Sequence, residues 1–191
     1  MCLVYSCIVW LLSGPVHAEA VSFLKDVAPI LDQRNCSAAQ CHGSPYGKGG
    51  LRLSLVASSP ELDAEPIGYD EKSRRINLIE PVNSLFLIKG ANKIPHGGGE
   101  MMPVGGDDYK TCLAWIKEGA AADVKPVSIS KLEVEPAHLV LRKDGDKHLI
   151  KVTVLFSDGD EREMTKLARY FSDRPSVADV LSNGTILRNG E

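Results

Sequence analysis

No sign of charge dominates this chain. Its 22 basic and 25 acidic residues leave a formal net charge of −3. No basic stripe and no polybasic cluster stands out, which argues against nucleic acid or an anionic membrane surface as a partner. There is no internal repeat and no low-complexity tract. Aromatic residues make up only 6%, and in the C-terminal part Tyr170 and Phe171 are the only local candidates for a polymer-binding strand face. No apolar run reaches membrane length. The longest, Leu3 to Leu12, is too short to span a bilayer comfortably. It is followed by small residues in "VHAEA", so residues 1–20 read as a secretory signal cleaved after Ala18 or Ala20. That leader lacks Lys and Arg, which points to a start further upstream. The expected location is secreted or periplasmic, with no membrane span after cleavage.

Cysteine is also scarce. Of the five, Cys2 and Cys7 leave with the leader. Cys36, Cys41 and Cys112 remain, an odd number that suits a disulfide framework badly in an oxidising compartment. It suits two thiols committed to a cofactor and a third buried as an apolar residue.

Two regimes of periodicity divide the rest. From residue 21 to 124 the apolar pattern is helical and is broken by glycine-rich loops. Phe23, Leu24, Val27, Ile30 and Leu31 share a helix face, with Pro29 expected to kink or tighten it. A short helix is expected near Ser84 to Lys89, with Ser84 as cap. The clearest helix begins at Asp107 or Asp108, buries Tyr109, Cys112, Leu113 and Ile116, and stops at Gly119. Residues 125–130 read as a linker. From 131 to 191 the pattern alternates with period two, through Leu132 and Val134, then Ile150, Val152, Val154 and Phe156. A turn is expected at Ser157 to Asp160 and a hairpin at "SNG". Further strands are expected at 162–165, 169–171, 177–181 and 185–188. Strands this short and closely spaced suggest a β-sandwich. Because the chain stops right after "NG", the sandwich is expected to be incomplete.

The chemistry concentrates in "NCSAAQCHGS", Asn35 to Ser44. Covalent haem attachment usually uses C-x-x-C-H; here four residues separate Cys36 from Cys41. The Cys41–His42 adjacency meets the stricter demand, that the proximal imidazole arrive with the second thioether. Ser37 to Gln40 are small or flexible enough to bulge. A short-loop disulfide, and a zinc site with His42 and His96, are the competing readings of the same residues. The downstream "EMMPVGGDDYK" favours haem. Met102, stiffened by Pro103, is the expected distal ligand opposite His42, since His/Met ligation raises the potential of haem iron. Met101 and His96 are the alternatives. Trp115 is available to line the haem edge. Arg74 and Arg75 are suited to carboxylates but read first as solvated surface. There is no second haem motif and no convincing pair of catalytic acid and base.

The runs "FLKDVAPILDQRNCSAAQCHGSPYGKGGLRLSL", "RRINLIEP", "PHGGG" and "WIKEGA" resemble the planctomycete-type cytochrome c domain. The stretch from Leu132 to Ile186 resembles a bacterial immunoglobulin-like domain of the BIG2 type. The resemblance implies an all-α class I cytochrome c-like domain followed by an all-β Ig-like sandwich. It implies one haem c on Cys36 and Cys41 with His42 as proximal ligand. Met101, Met102 and Pro103 after "HGGG" depart from the pattern, which leaves the sixth ligand open between Met102 and His96. The expected function is extracytoplasmic electron transfer, with the Ig-like part as spacer or docking surface. The partner would be a redox protein or further domains of the same polypeptide. The alternative is a cell-surface adhesion module in which the Ig-like part carries the function.

Overall fold

The computed structural model describes residues 20–69, 74–125 and 127–190. Residues 1–19, on which nearly all of the expected secretory signal falls, and Glu191 lie outside them. Ser22 opens the first helical segment: its Oγ accepts from the Lys25 amide at 3.0 Å, while Asp26 accepts from the Ser22 amide at 2.9 Å. Such a reciprocal cap satisfies amides that the first turn leaves without partners. The segment begins as a π-helical turn, Phe23–Val27, and tightens into α1, Ala28–Gln33. Pro29 stands at the changeover, where the wider turn accommodates a residue with no N–H. Phe23, Val27, Ala28, Ile30 and Leu31 are buried. The helix ends at Asn35, whose φ of 58° is the left-handed conformation that reverses a chain after a helix.

The helices that follow are α2, Ala64–Gly68, α3, Leu85–Gly90, and α4, Asp107–Lys117. Ser84 stands at the N-cap of α3, its carbonyl accepting from the Ile88 amide, but its side chain does not cap the helix; it is fully buried and its Oγ accepts from the Asn77 amide at 3.0 Å. On α4 the buried residues are Tyr109, Cys112, Trp115 and Ile116, the spacing of one helix face. Trp115 centres this core, with ring centroids 5.3 Å from Phe23 and 6.2 Å from Phe86.

The strands are β1, Ile129–Glu135, β2, Lys147–Leu149, β3, Lys151–Phe156, β4, Glu161–Glu163, β5, Ala178–Val180, and β6, Thr185–Arg188. They form two three-stranded antiparallel sheets, ordered β1-β3-β4 and β2-β6-β5. β3 alternates as its sequence does, burying Val152, Val154 and Phe156. No strand forms at 169–171.

These observations correct the expected fold class. Among the described residues the chain is a mixed, low-helix fold, 25% helix and 17% strand, with neither an all-α class I cytochrome c-like domain nor an all-β Ig-like sandwich. The longest helix among the described residues has 11 residues and the other α-helices 5 or 6. Short helices separated by loops still supply most of the first core, with Leu53, Ala91, Met102 and Ala120 contributed from between or beyond them. On the β side, the strands of the second sheet carry no buried residue. A sandwich requires both sheets to bury facing sides, and here β3 alone supplies the buried strand residues apart from Ile150 beside it.

The two halves are packed together. Lys25 is buried at 4% exposure and reaches Asp158 at 2.6 Å and Asp160 at 3.0 Å. Arg162 joins Asp160 at 2.5 Å and Asp26 at 2.6 Å. The turn at 157–160 is thereby fastened to the start of the first helix. Among the described residues no helix is long and apolar enough to cross a membrane.

Candidate functional site

The four-residue spacer between the cysteines folds as a compact double turn. The Cys36 amide still bonds to the Leu31 carbonyl at 2.8 Å. Ala38 O then accepts from Cys41 and Gly43, at 2.9 and 3.0 Å, and Cys36 O accepts from His42 at 2.9 Å. The longer bridge is thus taken up by backbone hydrogen bonds, and His42 leaves the loop directly beside the start of the spacer. Ser37 is buried, its Oγ donating to Asp32 Oδ1 at 2.8 Å. Gly43 has to be glycine: a Cβ there would stand 1.9 Å from the Ser37 carbonyl oxygen. The loop's outer side is secured by the Val56 amide donating to Ser37 O and the Leu53 amide donating to His42 O.

Cys36 and Cys41 are free thiols, both half-buried. Burial, with Cys41 adding to it, pushes the Cys36 thiol up to about 11. The disulfide reading of the pair is therefore not realised in this structure. Among the described residues no group of three or more His, Cys, Asp or Glu could hold a bare metal ion, so the four-ligand zinc site is not built either.

A cavity of about 620 Å³ opens against this loop, a size typical of cofactor and ligand sites. Cys36, Cys41, His42, His96 and Met101 all line it. Leu31, Leu51, Leu53 and Phe86 make the body of the cavity apolar. The two imidazoles are near parallel, with planes 9° apart and centroids separated by 6.3 Å. Each is oriented by a backbone carbonyl. His42 Nδ1 is 3.1 Å from Leu51 O, and His96 Nδ1 is 3.0 Å from Gly99 O. A carbonyl only accepts, so in both rings the proton sits on Nδ1 and the lone pair on Nε2. This second hydrogen bond is the arrangement found behind metal-ligating histidines. Burial, with His96 and Arg75 adding to it, lowers the His42 pKa and keeps its ring neutral.

The structure separates the residues proposed as distal ligand. Met102 touches the cavity, but it is 2% exposed and packed into the core. Its Sδ lies 3.7 Å from Cys112 Sγ, and its methyl rests against Gly90. The amides of Met101 and Met102 both donate to the Gly90 carbonyl, at 2.8 and 2.9 Å. This pins the end of the loop to α3 and leaves His96 opposite His42. Trp115 does not line the cavity; its Nε1 donates to Ala121 O within the core.

Arg75, which the sequence suggested first as solvated surface, is instead 3% exposed and lines the cavity. Its guanidinium donates to Pro66 O at 2.9 Å and Gly50 O at 2.8 Å. Arg74 beside it is exposed and donates to Gly49 O at 3.2 Å. The carbonyls that draw Arg75 inward lie well away in sequence, and no local signal distinguishes two adjacent arginines.

The donor set fits haem. Two imidazoles with ring centroids 6.3 Å apart and two free thiols line one cavity, and these are the ligand types that would hold a covalent haem. Neither a comparison with protein-family models nor one with curated proteins finds a match to this chain.

Proposed function

We propose that this chain is an extracytoplasmic electron-transfer module carrying one covalent haem c. The observation that carries the reading is the near-parallel pair His42 and His96, each with Nδ1 at a backbone carbonyl, in a cavity also lined by two free thiols. Cys36 and Cys41 would hold the macrocycle through thioethers, with His42 as proximal ligand. His96 is favoured as the distal ligand over Met102, whose sulfur faces Cys112, and over Met101.

Haem iron would supply a reversible one-electron couple. The chain's own residues do the rest. The Leu51 and Gly99 carbonyls hold both imidazoles in the tautomer that offers Nε2. The double turn of 36–42 fixes the thiols next to the proximal ring. Leu31, Leu51, Leu53 and Phe86 give the cavity the apolar lining that a macrocycle would pack against. Two protein ligands would leave no open position for a substrate, which favours electron transfer over catalysis. The cysteine wall is only half-buried, so a redox partner could approach it closely. The β-rich half would serve as spacer or docking surface.

The test is the mass of the denatured protein after expression in a periplasm equipped for c-type maturation. A gain of one haem, lost in Cys36→Ser/Cys41→Ser, is expected. A wild-type mass equal to the bare polypeptide overturns the reading. A second reading, surface adhesion through the β-rich half, is favoured by its exposed Val140, Leu149 and Phe171. Retention of the full chain on cell-surface polysaccharide, lost in Phe171→Ala, would support it.

A further inference from the structure

We infer that the β-rich half braces the loop bearing Cys36 and Cys41, and that Arg169 is the positioning residue through which it does so. The consequence for cofactor attachment rests on the haem reading above; the brace itself does not. A four-residue spacer has more backbone to hold in place than the usual two. Its first residue, Ser37, is held by Asp32 Oδ1. Arg169 Nη1 donates to that same oxygen at 3.1 Å, and its Nη2 donates to Asn35 Oδ1 at 3.3 Å. One guanidinium therefore grips both Asp32, at the end of α1, and Asn35, whose left-handed backbone starts the loop. Only a planar fork spans two acceptors in this way. The Arg169 guanidinium also lies 5.5 Å from the centroid of the Phe171 ring, which steadies its placement.

A second grip comes from Gln33, whose Nε2 donates to Lys166 O at 2.7 Å and Ser182 O at 3.3 Å. The segment 32–37 is thus held by three points of the other half. The docking cluster of Lys25, Asp26, Asp158, Asp160 and Arg162 lies at the other end of the same helical segment. It allows the halves to stay joined when Arg169 is removed. Asn35 would then lose the contact that favours its uncommon φ, and Cys36 its fixed distance from Cys41 and His42.

Hydrogen exchange on the full chain without cofactor tests the brace directly. The reporters are the amides of Cys41, His42 and Gly43. In Arg169→Ala they are expected to exchange about three- to fivefold faster, the scale of one partly exposed ion pair. Arg169→Lys should fall between the two, and the amides of α4 should not change. In the haem-loaded protein, Arg169→Ala should raise the share of chains tethered by a single thioether, read by mass after proteolysis. Loop amides at wild-type rates in Arg169→Ala overturn the inference. So does equal acceleration in Arg162→Ala, which would assign the effect to docking in general. Faster loop exchange in a protein whose wild type takes up no haem would sink the haem reading and leave the brace standing.

Discussion

Replacing Met102 separates a core residue from an iron ligand. The side chain is 2% exposed, its methyl lies against Gly90, and its sulfur lies 3.7 Å from the Cys112 thiol. Cutting a buried methionine to alanine removes its transfer energy and leaves a cavity, about 2–5 kcal/mol together. Gly90 carries no side chain that could fill the space, so the upper half of that range applies, about 3–5 kcal/mol. In a chain of 191 residues, one kcal/mol is about 2–4 °C in Tm, so Met102→Ala should melt roughly 6–20 °C lower. Met102→Leu keeps the volume and should cost less than about 1.5 kcal/mol. The informative measurement is spectroscopic. With His96 on the iron, Met102→Leu keeps the low-spin absorption and magnetic circular dichroism of the wild type in both redox states. His96→Ala does not. A Met102→Leu protein that loses its low-spin spectrum, beside a His96→Ala protein that retains it, would refute the reasoning and restore the methionine.

Gly43→Ala should be far more damaging than a typical loop substitution. Its Cβ would lie 1.9 Å from a backbone oxygen that the Val56 amide also holds in place. A loss of about 3 kcal/mol or more in chemical denaturation, together with loss of haem uptake, is expected; wild-type stability would show that the double turn yields. The cluster between the halves makes an acid-side prediction. The Lys25 ammonium beside Asp158 and Asp160 holds both carboxyls below their usual value of 3.8. The folded state then binds fewer protons than the unfolded one. The contribution is complete above about pH 4 and is lost as the pH falls through the folded pKa values. Lys25→Met should therefore be less stable than wild type at neutral pH, with the gap closing below pH 4 in a urea titration series; a gap independent of pH would contradict the assignment.

The parts of the molecule that follow from neighbours in sequence were legible. The face of α4, the alternation of β3 and the turn at 157–160 are set by local pattern, and the adjacency of Cys41 and His42 is chemistry written in one dimension. What escaped depends on contacts between distant residues. Met102 and His96 both line the cavity; how far each reaches into it depends on the Gly90 carbonyl, which anchors the methionine pair, and on the Gly99 carbonyl, which turns the imidazole. Neither leaves a trace in the residue types, since Met-Pro in a loop reads the same in a core and at an iron. The fold class failed for a related reason. Period-two and helical patterns report which face of an element is apolar, not whether the element is long enough to pack as a layer. Apart from α4 the helices of the first half stop after one or two turns, α2 and α3 at a glycine and α1 at Asn35, and the second sheet never buries a face. A residue such as Lys25 shows the limit most clearly. In sequence it is one polar position on an amphipathic helix. In the fold it is buried between two aspartates from the far end of the chain and makes one body of two halves.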